Sequence, residues 1–212
     1  MKKNLNFYIT LWIVKLISAG LKLLGKNATY YPGKLALDMC PGFMGMLDKP
    51  KTIIGVTGTN GKTTVSNMIN DILIDNGYKI INNKYGSNID AGIATTLLQG
   101  ATLFGKSKKE IAVLEIDERS APKVFPYITP TYLICTNIFR DSLMRNAHTE
   151  FISEIVSKNV PKDTIVIENA DDLICSGIAP NNAKIYFSID KLDTDTKEPH
   201  NIVRDIITCP VC

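Results

Sequence analysis

Several protein classes fail on composition alone. Five cysteines in 212 residues cannot all pair, and most are scattered. A disulfide scaffold is therefore excluded, and a reducing cytosolic setting is expected. Twenty-four basic against 21 acidic residues leave a net charge of only +3, too little to argue for nucleic acid, and none is expected as a partner. Internal repeats, low-complexity tracts and an N-K-x-D base-reading motif are missing, which removes solenoids and argues against a GTPase. With 45% hydrophobic and 21% charged residues, the composition is ordinary for a globular chain and rules out wholesale disorder.

The N-terminal stretch Phe7 to Leu24 is apolar but interrupted by Lys15 and Lys22. A spanning helix wants about 20 apolar residues without charge. A signal peptide wants a small-residue cleavage site, and nothing after Gly20 provides a clean one. The two lysines are seven apart and share a helical face, which favours an amphipathic helix. Packing on the domain, lying on a membrane surface, and spanning or signalling remain as three readings. Residues 25–50 are rich in Pro and Gly and read as a linker with one short helix near Leu35 to Met39.

From Lys51 the texture changes. Strands are expected at Thr52–Thr57, Lys79–Asn82, Ile111–Ile116, Thr131–Thr136, Thr164–Glu168 and Ile185–Ser188. Helices are expected at Thr63–Asn76, Asp90–Gln99 and Glu150–Lys158, the first with Val65, Met68, Ile69, Ile72 and Leu73 on one face and ending before Gly77. Alternating strands and helices predict an α/β fold, a mostly parallel, doubly wound sheet that binds ligands beyond the carboxyl ends of its strands.

The strongest motif is Gly58-Thr59-Asn60-Gly61-Lys62-Thr63-Thr64, directly between a strand and a helix. Glycines let the backbone wrap phosphate oxygens, and the helix N-terminus adds its positive dipole end. Lys62 can reach the β- and γ-phosphates, and the Thr63 hydroxyl suits Mg²⁺. The general phosphate-loop pattern has a glycine where Val56 stands. Ile111 to Glu118 (IAVLEIDE) places Glu115, Asp117 and Glu118 at a strand end, where NTPases hold Mg²⁺. Further polar clusters end other strands: Asn82 to Asn88; Asn137, Arg140, Asp141, Ser142 and Arg145; and Asn169-Ala170-Asp171-Asp172. In the last of these, helix capping and nucleotide contact compete. Cys209-Pro-Val-Cys212 has metal-knuckle spacing but supplies only two of four zinc ligands, with His200 as a weak third. Cys135 and Cys175 read as packed thiols.

The TGTNGKTT loop resembles that of the Mur ligase superfamily, whose members pass the γ-phosphate of ATP to a carboxylate before an amine or ammonia attacks. NNKYGSN, EIDERSAPKV, TNIFRDSLMR, NADD and the terminal CPVC are similar in order and spacing to the Mur-ligase-like subunits of lipid II isoglutaminyl synthases. Ser142 stands where ordinary Mur ligases carry His, and Met144 where a second Asp is usual.

The resemblance implies a central ATP-binding domain at 51–190, preceded by the helix and linker at 1–50 and followed at 191–212 by the start of a zinc ribbon. It implies Lys62 and Glu115 as catalytic residues, with Gly58 to Thr64, Asn137 and Arg145 around ATP. Thr63 and Glu115 would hold Mg²⁺, and Cys209 and Cys212 would hold Zn²⁺. The implied reaction is ATP-dependent amidation of the D-isoglutamate α-carboxyl of lipid II to D-isoglutamine through an acyl phosphate. Ammonia would come from a GatD-type glutaminase. A cytoplasmic protein would follow, and a lipid-linked substrate would explain a contact of residues 7–24 with the inner membrane face. A further C-terminal domain belongs to such proteins, so the chain is expected to be a fragment, inactive alone. An amino-acid-adding Mur ligase, a folylpolyglutamate-type ligase and a non-catalytic nucleotide-binding module are the competing readings.

Overall fold

The computed structural model describes residues 1–139 and 149–194. Its elements in chain order are α1 (Leu5–Leu23), α2 (Tyr31–Met39), α3 (Phe43–Met46), β1 (Thr52–Thr57), α4 (Lys62–Asp75), β2 (Ile80–Asn82), α5 (Asp90–Gly100) and β3 (Ile111–Glu115). After them come α6 (Ala121–Val124), β4 (Tyr132–Cys135), α7 (Thr149–Asn159), β5 (Ile165–Asn169) and β6 (Lys184–Phe187). The six strands form one parallel sheet in the order β2-β3-β1-β4-β5-β6.

β1 sits where the winding reverses: the chain passes to β3 on one side and β4 on the other. The loops leaving β1, β3 and β4 therefore meet outside one crevice, the expected ligand position in a doubly wound sheet. Central strands with both faces covered need near-continuous apolar runs. TIIGVT and IAVLE supply them, and Ile53, Val56, Ala112, Val113 and Leu114 are buried.

Residues 25–50 are not a loose linker. Pro32 starts α2, where its missing N–H costs nothing. Gly33 lies against α5 so closely that a Cβ would stand 1.8 Å from the Ala91 carbonyl oxygen. Ala36, Cys40, Phe43 and Met44 join the same buried core as Ile93, Leu97 and Leu114. The N-terminal segment and the sheet thus share one core. Helix α1 packs on this layer through Phe7, Leu11 and Val14, all fully buried. Asn4 caps it by accepting from the Phe7 N–H at 2.9 Å.

The rotation of α4 differs from expectation. Ser66 and Asn70 are buried, while Met68 and Ile72 are 58% and 59% exposed. The phosphate loop sets this phase. Thr63 must face β3 from the first turn, and residues three and seven further on follow it inward. Gly77 (φ +80°) ends the helix as expected.

Candidate functional site: a phosphate loop at the sheet's switch point

Gly58 leaves β1 with φ +121°, a conformation open to glycine. A Cβ there would stand 2.3 Å from Thr136 Oγ1 and 2.8 Å from the Asn137 carbonyl oxygen. Gly61, at φ +79°, turns the chain into α4. Between them the loop is tied down from behind. The Thr59 N–H donates to the Asn137 carbonyl (2.8 Å), and the Asn60 N–H donates to Asn137 Oδ1 (2.9 Å). Asn137 Nδ2 returns a bond to the Asn60 carbonyl at 3.0 Å. Thr59 Oγ1 accepts from the Phe139 N–H at 2.9 Å. With these N–H groups engaged, the first turn of α4 is left to face a phosphate, since its leading N–H groups have no intrahelical acceptor. Thr64 lies exposed in that turn.

Lys62 Nζ donates to the carbonyls of Gly58 and Thr59 and to Glu118 Oε1 (3.0 Å). Glu118 Oε1 also accepts from the Gly58 N–H at 2.9 Å. Glu118 is buried, and its burial raises the carboxyl pKa above the usual range, with Lys62 opposing the rise. This is the one ion pair inside the phosphate loop among the described residues, and sequence reasoning did not assign it. The apolar run of β3 ends at Ile116, and only the following 3-10 turn (Glu118–Ser120), capped by Asp117 Oδ1 on the Arg119 N–H, swings Glu118 under the loop.

Glu115 stands opposite Thr63: Thr63 Oγ1 donates to Glu115 Oε2 at 2.8 Å. Asn88 Nδ2 donates to Glu115 Oε1 at 3.1 Å. Asn83 holds the Glu115 backbone through Nδ2 to its carbonyl (2.8 Å) and Oδ1 from its N–H (2.9 Å). A hydroxyl and a carboxylate, both hard oxygen donors in contact, fit Mg²⁺ shared with phosphate oxygens. Beside them opens a cavity of about 500 Å³ lined by Thr59, Lys62, Asn88, Asp117, Glu118 and Arg119, with Lys123 at its edge. Lys123 is paired to Asp90 at 3.8 Å.

The NADD turn is structural. Asp172 is buried, accepting from Ile138 N–H (2.6 Å), Ile174 N–H (2.9 Å) and Cys175 N–H (3.1 Å). It thereby fixes the loop that carries Asn137. Cys135 and Cys175 are packed, free thiols, and the hydrogen bond between them, with burial, pushes the Cys135 thiol up. Arg140, Asp141, Ser142, Met144, Arg145, His200, Cys209 and Cys212 lie outside the described residues. Among the described residues no three His, Cys, Asp or Glu side chains cluster as a metal site.

Residues 56–205 match the Mur ligase middle domain. The chain belongs to the Mur ligase family. It is 35% identical over 196 residues to the lipid II isoglutaminyl synthase (glutamine-hydrolyzing) subunit MurT of Streptococcus pneumoniae (strain ATCC BAA-255 / R6), covering 91% of this chain and 42% of that protein. The MurT subunit of Staphylococcus aureus (strain COL) is 34% identical over 162 residues, or 76% of this chain and 36% of that one. The chain thus spans 36–42% of the length of these curated relatives. In fold it is similar to the MurF ligase of Thermotoga maritima solved in complex with ADP. The TM-score is 0.55 at 20% identity, over 74% of this chain and 35% of that one. This Mur ligase middle domain carries its phosphate loop between β1 and α4, and its acidic strand end on β3.

Proposed function

We propose that this chain is the nucleotide-binding part of an ATP-dependent amide-forming ligase of peptidoglycan synthesis. It acts on the D-isoglutamate α-carboxyl of lipid II, with ammonia from a GatD-type glutaminase. The observation that carries this reading is a polar cavity lined by Lys62, Asn88, Arg119 and Lys123, with the Thr63–Glu115 pair joined to its wall through the bond from Asn88 to Glu115. One side of the site suits a triphosphate, and the other suits an acid.

Lys62 and the first turn of α4 hold the phosphate tail and balance the charge that develops on transfer. Thr63 and Glu115 would hold Mg²⁺, which supplies further neutralisation of phosphate charge when bound. Arg119 and Lys123 orient the acceptor carboxylate. Its oxygen attacks the γ-phosphorus, and the bond to ADP breaks. Ammonia then attacks the acyl carbon and loses a proton, and inorganic phosphate leaves. Cys209 and Cys212 would supply half of a structural Zn²⁺ site, needing two further thiolates or imidazoles.

Calorimetric titration with Mg–ATP, and ¹⁵N-ammonia incorporation into lipid II by the assembled ligase, test this reading. Lys62→Ala is expected to lower turnover about 10²–10³-fold. Failure of the unsubstituted protein to bind Mg–ATP sinks the proposal. Incorporation of an amino acid in place of ammonia transfers it to an amino-acid-adding ligase.

A further inference from the structure

Helix α1 is apolar on two opposite faces. Phe7, Leu11, Val14 and the small Thr10 and Ser18 turn inward. Leu5, Ile9, Trp12, Ile13, Leu16 and Leu23 turn outward, each 40–89% exposed. Their spacing of three, four and seven places them on one stripe along the 19-residue helix. The lysines do not occupy that stripe. Lys15 reaches across the inner flank to the carbonyls of Leu98 and Ala101, at 2.8 Å each, where α5 ends. An amphipathic surface helix puts its charges towards water, whereas this one tucks a charge against the fold and leaves the apolar stripe outside.

The stripe continues onto the loop between α5 and β3. Leu103 and Phe104 are 59% and 66% exposed. Trp12 Nε1 donates to the Leu103 carbonyl at 2.9 Å, and Lys3 Nζ donates to the Phe104 carbonyl at 3.2 Å, so loop and helix form one patch. Positive charge predominates in this part of the chain, with Lys3 paired to Asp48 at 2.8 Å. Residues 1–51 hold eight lysines against Asp38 and Asp48, a net +6 in a chain of net +3, which leaves 52–212 at −3. Lys106 and Lys108 flank the loop tip, both exposed.

We propose that this patch docks on an anionic lipid surface, with α1 lying in the interface, its outer stripe and the Leu103–Phe104 tip in the acyl boundary and the lysines at the headgroups. An apolar stripe with exposed Lys2 and Lys22 near the ends of α1, and Lys106 and Lys108 beside the loop tip, matches such a surface. By length and composition α1 is apolar enough to cross a membrane. It lies flat instead, because crossing would strip Phe7, Leu11 and Val14 from the core and Lys15 from its carbonyls. The proposal goes beyond the nucleotide chemistry and does not depend on it.

Trp12 is the only tryptophan of the chain and sits in the patch, so its fluorescence reads docking without any substitution. Vesicles of phosphatidylglycerol and phosphatidylcholine are expected to shift its emission to the blue and to carry the protein into the pellet. Brominated lipid should quench it. Raising salt to 0.5 M should weaken binding several-fold, and Leu16→Glu with Phe104→Glu about tenfold or more. Equal binding to pure phosphatidylcholine, undiminished binding of the double variant, or no binding to either vesicle overturns the proposal. So does a dimer in solution that Leu16→Glu dissolves, which assigns the face to a second copy. Mg–ATP titration of the same samples keeps this result separate from the fate of the ligase reading.

Discussion

Glu118 accepts from the Gly58 N–H and supplies the countercharge to the Lys62 ammonium. Removing one partner of a buried pair leaves the other uncompensated, at a cost of several kcal/mol, while a neutral acceptor recovers part of it. Glu118→Ala is expected to destabilise the protein by about 2–4 kcal/mol in urea unfolding, and Glu118→Gln by clearly less. Equal losses for both variants would refute the pairing. At residue scale the sequence displayed Lys62, Thr63 and Glu115, because their types and positions relative to a strand and a helix carry their chemistry. It did not display Glu118, Asn83 or Asn137 as supports, since those bonds join side chains 32 to 77 positions apart to backbone groups.

At the scale of elements, α4 shows pattern and geometry in conflict. Its apolar positions suggested Val65, Met68, Ile69, Ile72 and Leu73 as the inward face, yet Asn70 is 1% exposed with neither amide atom hydrogen-bonded. A buried amide without partners costs about 1–3 kcal/mol. Asn70→Leu, which keeps the branched skeleton without the polar atoms, is therefore expected to raise stability by about 1 kcal/mol. Met68→Ser and Ile72→Ser should change it by less than about 0.5 kcal/mol. Thermal or urea unfolding of the three variants decides; the reverse order would restore the apolar face to the interior. Periodicity found the helix and its ends but not its rotation, because the phosphate loop fixes Thr63 against Glu115 and the rest of the helix follows.

Across the whole molecule, Lys49 joins the N-terminal layer to the start of the sheet. Its Nζ donates to the carbonyls of Met44 and Leu47, and burial pulls its pKa down to about 8, from 10.5 when free. The folded state therefore favours the neutral amine. Between pH 8 and 10.5 the unfolded chain holds more protons at this group, so its contribution to stability rises with pH and is lost as pH falls through about 8. Urea midpoints of the wild type and Lys49→Met from pH 7 to 10 should diverge above pH 8 in favour of the wild type. A pH-independent difference would contradict the shift. Comparing the two chains cancels the buried thiols and other groups that titrate in the same range.

The sequence by itself determined the alternation of strands and helices, the phosphate loop, the acidic strand end and the family they resemble. Each is a local pattern set by residue type and spacing. Only the tertiary structure decided that the Pro/Gly segment packs into the shared core, that α4 turns Ser66 and Asn70 inward, and that Glu118 braces Lys62. It also decided that α1 tucks Lys15 against the end of α5 and shows Leu5, Leu16 and Leu23. Those outcomes depend on which faces meet across the sheet, and faces are chosen by contacts between residues far apart in the chain.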